Sequence, residues 1–169
     1  SNINKQNLRA RNFMKKVKIG NKVDNFELES TNKDGFEFKD YKGKKLVIYF
    51  YPKDNTSGCT QESIDFSSKR NLFRKLNCEI FGVSRDSIKS HYNFKEKFKF
   101  KFDLLSDPNE TLCKAFDVMK EKSMYGKKFI GVERSTFFIN EKGVLIKEWR
   151  KVKVNGHVDE VLAFVKSLN

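Results

Sequence analysis

The sequence predicts an α/β fold in which a mixed central β-sheet is flanked by helices. Residues 45–51 form a continuous apolar run of β-formers, which is typical of a strand buried on both faces. Strand patterns then alternate with helical patterns, and a hairpin pattern follows near the end of the chain. The length of 169 residues is sufficient for one domain with a core of ordinary size.

The first half of the chain is predicted to form a hairpin, two buried strands and two helices. Alternating apolar residues at 26–29 and 36–38 flank an Asp-Gly turn, which favours a hairpin. Pro52 ends the first buried strand because it has no N–H for the sheet. We expect a helix over 60–76, a second buried strand over 78–84, and a helix capped by Asp86 or Ser87 that runs to about residue 98.

The second half of the chain is predicted to complete the sheet and cover it with a closing helix. A short strand over 103–106 precedes a helix over 109–116. Residues 120–132 are polar and contain glycine, which indicates a loop. A hairpin follows over 136–149, and the amphipathic segment 157–168 is predicted to be a helix.

The charge and composition indicate a basic protein without a membrane-spanning segment. Lys and Arg total 35 against 22 Asp and Glu, a net charge of +13. No apolar run approaches the roughly 20 residues of a spanning helix, so we expect no membrane association. Residues 1–18 contain six basic and no acidic side chains, and they are predicted to form a flexible basic arm ahead of a domain over 19–169. They have no signal-peptide pattern, although the missing initial Met leaves an upstream targeting segment open.

The excess of basic residues leaves a rival interpretation open. A basic surface attracts polyanions, so the chain could be a nucleic-acid- or chromatin-associated protein located in the nucleus rather than the cytosol. No DNA- or RNA-reading motif is visible, and such binding would be non-specific and salt-dependent.

The cysteines favour catalysis over metal binding or disulfides. Cys59, Cys78 and Cys113 are odd in number and lack metal-ligand spacing. We therefore expect an intracellular, reducing compartment, with no metal and no cofactor. His91 and His157 are far apart in the sequence, and we interpret both as surface residues without a catalytic role.

Cys59 has the sequence context of a reactive thiol. The strand that ends at Pro52 leads into a loop and then into a helix that starts near Cys59, at the edge of the sheet where sites form. A helix N-terminus favours an anion such as a thiolate. Gly58 allows close approach of the backbone, and Thr56 adds a hydroxyl. This pattern predicts a nucleophile without identifying what it attacks.

Residues 49–62, YFYPKDNTSGCTQE, resemble the active-site segment of peroxiredoxins. They are most similar to the branch of bacterioferritin comigratory protein, also called peroxiredoxin Q. The family pattern Pro-x-x-x-Thr-x-x-Cys is complete, and the resemblance extends through most of 19–169. It implies a thioredoxin-like fold and a thiol peroxidase that reduces hydrogen peroxide and organic hydroperoxides.

The resemblance also implies roles for individual residues. Cys59 matches the peroxidatic cysteine, Thr56 the threonine that binds the peroxide, and Arg134 the arginine that faces the thiolate. Pro52 matches the residue that shields the pocket, and Glu62 an acidic position one turn into the helix. Attack on the peroxide would give Cys59 sulfenic acid and water or an alcohol.

Two departures from the family pattern concern the loop and the recycling of the enzyme. Ser57 stands where proline is common. Ile64 stands where many members have a resolving cysteine, and residues 87–98, where a second subgroup has one, contain no cysteine. We interpret Cys78 and Cys113 as structural. A monomeric enzyme reduced by an external thiol (thioredoxin, glutaredoxin or glutathione) is expected, and a redox sensor with poor turnover is the alternative.

Overall fold

The computed structural model describes residues 14–169 as a seven-stranded sheet, a separate two-stranded sheet, and helices on both faces. The order of strands in the large sheet is β2-β1-β5-β4-β3-β8-β9. The strands are β1 (Glu27–Ser30), β2 (Phe36–Glu37), β3 (Lys45–Phe50), β4 (Cys78–Ser84), β5 (Asp103–Ser106), β6 (Met119–Met124), β7 (Lys127–Val132), β8 (Ser135–Ile139) and β9 (Leu145–Trp149). The helices are α1 (Ser57–Lys75), α2 (Ile88–Phe98), α3 (Thr111–Ala115) and α4 (His157–Ser167), with a 3-10 helix at Phe38–Tyr41.

Strand β3 lies near the centre of the sheet. It pairs in parallel with β4 and antiparallel with β8, and β4 pairs in parallel with β5. All residues of β3 are buried, as its apolar composition predicts for a strand covered on both faces. The predicted α/β architecture with a mixed central sheet is confirmed.

Successive side chains of β3 point into two separate cores because side chains alternate across a strand. Ile48 and Phe50 belong to the core that includes Phe116 and Phe137. Val47 and Tyr49 belong to the other core, which includes residues of α1, α2 and α4. Cys59 lies in this second, helix-covered core.

The loop predicted over 120–132 is wrong: the structure forms a β-hairpin there, from β6 and β7. The turn is Tyr125-Gly126, with φ values of 51° and 77°, as two-residue hairpin turns require. Most side chains of this hairpin are exposed, so its sequence lacks the alternation of polar and apolar residues that marks a half-buried strand.

The described part of the predicted basic arm contacts the domain. Residues 1–13 lie outside the described part of the chain. Met14 and Val17 pack against the core, and the N–H of Val17 donates to the carbonyl of Ala115 at 2.9 Å. Within residues 14–169, no helix is long and apolar enough to cross a membrane.

The prediction that both histidines lie on the surface is wrong. His91 is 0% exposed and His157 is 4% exposed. Burial lowers the pKa of His157 to about 4, and its Nε2 lies 2.7 Å from Oγ1 of Thr136. Each imidazole is buried with hydrogen-bond partners that are distant in sequence, so the burial is not visible in the local pattern.

Candidate active site

Cys59 lies in the first turn of α1, after the loop that follows β3. The loop contains Asn55 at a φ of 63°, a left-handed conformation that asparagine tolerates well. Thr56 is the N-cap residue of α1, and its carbonyl accepts the N–H of Thr60 at 2.9 Å. Cys59 therefore lies at the N-terminal end of the helix, whose free N–H groups and dipole favour a negative charge.

Arg134 contacts the sulfur from the neighbouring strand. Phe50, the last residue of β3, pairs with Ser135, the first residue of β8, so Arg134 lies beside the end of β3. Nη2 of Arg134 donates to Sγ of Cys59 at 3.3 Å, and Cys59 is 1% exposed. Antiparallel pairing of β3 and β8 thus places a guanidinium against a buried thiol that is distant in sequence.

Glu62 holds the other side of the same guanidinium. It lies one helical turn after Cys59, and its Oε1 accepts a hydrogen bond from Nη1 of Arg134 at 2.7 Å. Burial raises the pKa of Glu62 to about 7, against the opposing effect of Arg134. The ion pair in turn contributes to raising the pKa of Arg134, although burial opposes this. The carboxyl group fixes the orientation of Arg134 towards the sulfur.

Glu62 is expected to make the stability of the fold depend on pH. Its pKa is about 7 when folded against a usual value of 4.5, so the folded state keeps a proton that the unfolded state has lost between these pH values. Its contribution is complete below about pH 4.5 and is lost as the pH rises through 7, by at most about 3 kcal/mol. Thermal unfolding of Glu62→Gln should therefore show a Tm that rises relative to the wild type from about pH 5 to about pH 8.

A matched control for this measurement is Glu96→Gln, which changes an exposed carboxyl paired with Lys99 on the surface of α2. This variant should not gain stability relative to the wild type over the same pH interval. Parallel Tm curves for the wild type and Glu62→Gln would contradict the assignment.

The remaining predicted site residues lie in the loop that precedes α1 and in the first turn of α1. Oγ1 of Thr56 donates to the carbonyl of Lys53 at 2.8 Å, so the hydroxyl bonds within its own loop. Pro52 is half-buried directly after Tyr51, the residue that follows β3. A Cβ at Gly58 would lie 3.2 Å from Nη2 of Arg134, so the absence of a side chain there allows the guanidinium to approach.

Lys122 was not predicted as a site residue, and β6 brings it close enough for Arg134 and Cys59 to affect its pKa. It is half-buried. Burial and the charge of Arg134 lower the pKa of Lys122, while Cys59 has the opposite effect. The lysine belongs to the hairpin that the sequence suggested was a loop, so its proximity to Cys59 depends on a strand that was not predicted.

The other two cysteines lie away from the sulfur of Cys59. Cys78 pairs with Lys45 at the opposite end of β3, and burial raises its pKa to about 12. Cys113 lies in the core on the other face of the sheet, and burial together with Asp107 raises its pKa far above the usual range. Ile64, at the position of the usual resolving cysteine, is 38% exposed on α1.

The chain is similar to known peroxiredoxins over most of its length. The model of the AhpC/TSA family matches residues 19–148. Peroxiredoxin Bcp of Xanthomonas campestris is 57% identical over 125 residues, which are 74% of this chain and 78% of that protein. Peroxiredoxin Bcp of Bacillus subtilis is 48% identical over 153 residues, 90% of this chain and 98% of that protein.

A solved structure agrees with the fold. It concerns the alkyl peroxide reduction activity of the bacterioferritin comigratory protein of Xanthomonas campestris, and it matches with 50% identity and a TM-score of 0.78. The match covers 84% of this chain and 90% of that one. The predicted thioredoxin-like fold is confirmed. These bacterial relatives lend no support to a nuclear location or to the nucleic-acid interpretation.

Proposed function

Because this chain belongs to the AhpC/TSA family and is a peroxiredoxin, a thiol peroxidase that uses a thiol reductant, we propose that Cys59 is its peroxidatic cysteine. The observation that supports this most directly is the contact between Cys59 Sγ and the guanidinium of Arg134. A buried cation next to a sulfur at a helix N-terminus stabilises negative charge on that sulfur.

The reaction uses the charges around the sulfur. The thiolate of Cys59 attacks one oxygen of the hydroperoxide, so that an S–O bond forms while the O–O bond breaks. The departing oxygen leaves as hydroxide or alkoxide and takes a proton from water. Arg134 stabilises the negative charge as it moves from sulfur to oxygen, and Glu62 keeps the guanidinium in place.

The hairpin of β6 and β7 supports organic hydroperoxides as substrates alongside hydrogen peroxide. It exposes Met124, Phe129 and Ile130 on the same element that brings Lys122 near Cys59. Apolar side chains on this hairpin would bind the alkyl part of a substrate. An activity on alkyl peroxides is named for the related protein of Xanthomonas campestris.

Recycling is proposed to need an external thiol, with thioredoxin, glutaredoxin and glutathione as candidates and the monomer as the functional unit. Cys78 pairs with Lys45, five strand residues from the end of β3 nearest Cys59, a separation of roughly 17 Å at the usual rise of a strand. Cys113 is separated from Cys59 by the sheet itself. A disulfide requires Cα atoms within about 7 Å, so the positions of both thiols support reduction by an external thiol.

The double variant Cys78→Ser, Cys113→Ser is expected to retain peroxidase turnover within about twofold of the wild type. Steady-state peroxide consumption with dithiothreitol as reductant measures this. Treatment of the wild type with one equivalent of hydrogen peroxide and dimedone, followed by peptide mass spectrometry, should give an adduct on Cys59 alone. A disulfide between Cys59 and either other cysteine, together with loss of turnover in a folded double variant, would refute the one-cysteine mechanism.

A further inference from the structure

We propose that His91 is a positioning residue for the peroxidatic loop, defined as residues 51–56, and that it acts through the carboxylate of Asp54. The proposal extends the role proposed for Cys59 in peroxide reduction. His91 lies in α2 and does not contact Cys59, so its effect on the reaction would pass through the loop that connects β3 to α1.

Asp54 is fixed from several directions. Its Oδ2 accepts hydrogen bonds from Oγ of Ser90 at 2.7 Å and lies 2.7 Å from Nδ1 of His91. Its Oδ1 accepts from the hydroxyl of Tyr51 at 2.7 Å. The backbone N–H of Asp54 donates to Oδ2 of Asp86 at 3.0 Å. The middle of the loop is therefore attached both to the end of β3 and to the segment that leads into α2.

The hydrogen-bond geometry requires a proton between His91 and Asp54. Nε2 of His91 lies 2.8 Å from the carbonyl oxygen of Leu105, which can only accept, so Nε2 carries a hydrogen. Nδ1 faces a carboxylate oxygen at 2.7 Å, and two bare acceptors at that distance would repel each other. The side chains are 0% and 2% exposed, so water does not compete with this bond. A charge-assisted hydrogen bond in such a site is short and strong.

The same three groups could be taken for a metal site, since donor atoms of Asp54, Asp86 and His91 lie within 4.8 Å of one another. Their hydrogen bonds argue against that. The separation of 2.7 Å between Nδ1 and Oδ2 matches a shared proton, and it is shorter than the roughly 3.3 Å between two ligands on a tetrahedral zinc ion with bonds of about 2.0 Å. The cluster is a hydrogen-bonded anchor.

The anchor is close in sequence to the groups that meet the peroxide. Asp54 lies two residues before Thr56, and the hydroxyl of Thr56 is itself held by the carbonyl of Lys53. A shift of Asp54 would therefore move this hydroxyl relative to Cys59. Displacement of reacting groups by about 1 Å can slow a reaction about a hundredfold.

Two substitutions separate the two bonds of His91. In asparagine the amide nitrogen is as many bonds from Cβ as Nδ1 is, so His91→Asn can still donate to Asp54. In glutamine it is as many bonds away as Nε2, so His91→Gln can still donate to the carbonyl of Leu105. Comparison of the two variants tests whether the bond to Asp54 in the loop or the bond to Leu105 in β5 matters for the reaction.

The test measures two second-order rate constants for Cys59 in each full-length variant: oxidation by hydrogen peroxide, and alkylation by iodoacetamide. Alkylation needs the reactive sulfur but no positioned peroxide. We expect His91→Gln to slow oxidation about tenfold to a hundredfold while alkylation stays within about twofold, and His91→Asn to retain most of the oxidation rate. Thermal unfolding shows whether each variant is folded at the assay temperature, and His157→Gln controls for the loss of a buried histidine elsewhere.

The possible outcomes are distinct. Oxidation of His91→Gln at the wild-type rate would overturn the proposal, and so would equal slowing of oxidation and alkylation. Slowing of oxidation in His91→Asn but not in His91→Gln would assign the effect to the bond with Leu105 and would also overturn it. Equal slowing of oxidation in both variants would overturn it as well, because the bond to Asp54 would then not be the one that matters. A wild-type protein that is oxidised at a residue other than Cys59 would instead refute the proposed function, so the two failures can be told apart.

Discussion

Substitution of Cys59 by serine is expected to reduce peroxide consumption to the background rate while the fold stays intact. A serine hydroxyl has almost the volume of the thiol, but it is not ionised at neutral pH and is not oxidised by peroxide. Peroxide consumption with dithiothreitol in excess measures the loss, and circular dichroism checks the fold. The proposed mechanism uses this sulfur in every turnover, so this is the largest effect that we expect.

Cys78→Ser is the matched control because it makes the same substitution in the same core. Cys78 begins β4 and lies beside the end of β3 that is far from Cys59. It should retain activity. Residual turnover of Cys59→Ser above the background rate, or equal losses in both variants, would contradict the assignment of the peroxidatic cysteine.

Substitution of Arg134 by glutamine is expected to lower the rate of Cys59 oxidation by about a hundredfold to a thousandfold. The change removes the donor at 3.3 Å from the sulfur and leaves the buried carboxyl of Glu62 without its cation. Arg134→Lys should recover only part of the rate, because one ammonium cannot reproduce a guanidinium that bonds the sulfur and the carboxyl with separate nitrogens. Single-turnover kinetics with hydrogen peroxide measure both variants.

Arg150→Gln provides a control of similar chemistry outside the site. Arg150 donates to the carbonyls of Phe116 and Asp117, and its guanidinium lies 5.2 Å from the ring centroid of Phe137. Its loss should lower stability and leave the rate of Cys59 oxidation unchanged. Similar oxidation rates for Arg134→Gln and the wild type would remove Arg134 from the mechanism.

The features predicted well from the sequence are those that a local pattern determines. The apolar run at β3 and the Pro52 that follows it indicated a buried strand with a defined end, and the motif around Cys59 indicated a thiol at a helix N-terminus. The assignment of Arg134 needed the family resemblance. Its contact with Cys59 depends on the register of β3 against β8, which no local pattern contains.

The features that were missed depend on tertiary contacts. His91 has polar and basic neighbours in the sequence, yet its two ring nitrogens find a carboxylate and a carbonyl from other elements, which makes burial favourable. The hairpin of β6 and β7 is largely exposed, so no core selects its side chains. One residue of the hydrogen-bonded anchor could have been suspected from the sequence: Asp54 lies inside the motif, between Pro52 and Thr56.

Because Cys59 is almost completely buried, a small peroxide and a large protein reductant differ in their access to it. A peroxide of a few atoms can reach a side chain that is 1% exposed, whereas the thiol of a protein reductant is attached to a surface too large to enter. If the external thiol is thioredoxin or glutaredoxin, reduction would require the first turn of α1 to open, and its rate would be scaled by the population of the open state. Each 1.4 kcal/mol of opening free energy would slow the reduction of oxidised Cys59 about tenfold, so the stability of one helical turn would set how long the oxidised enzyme persists.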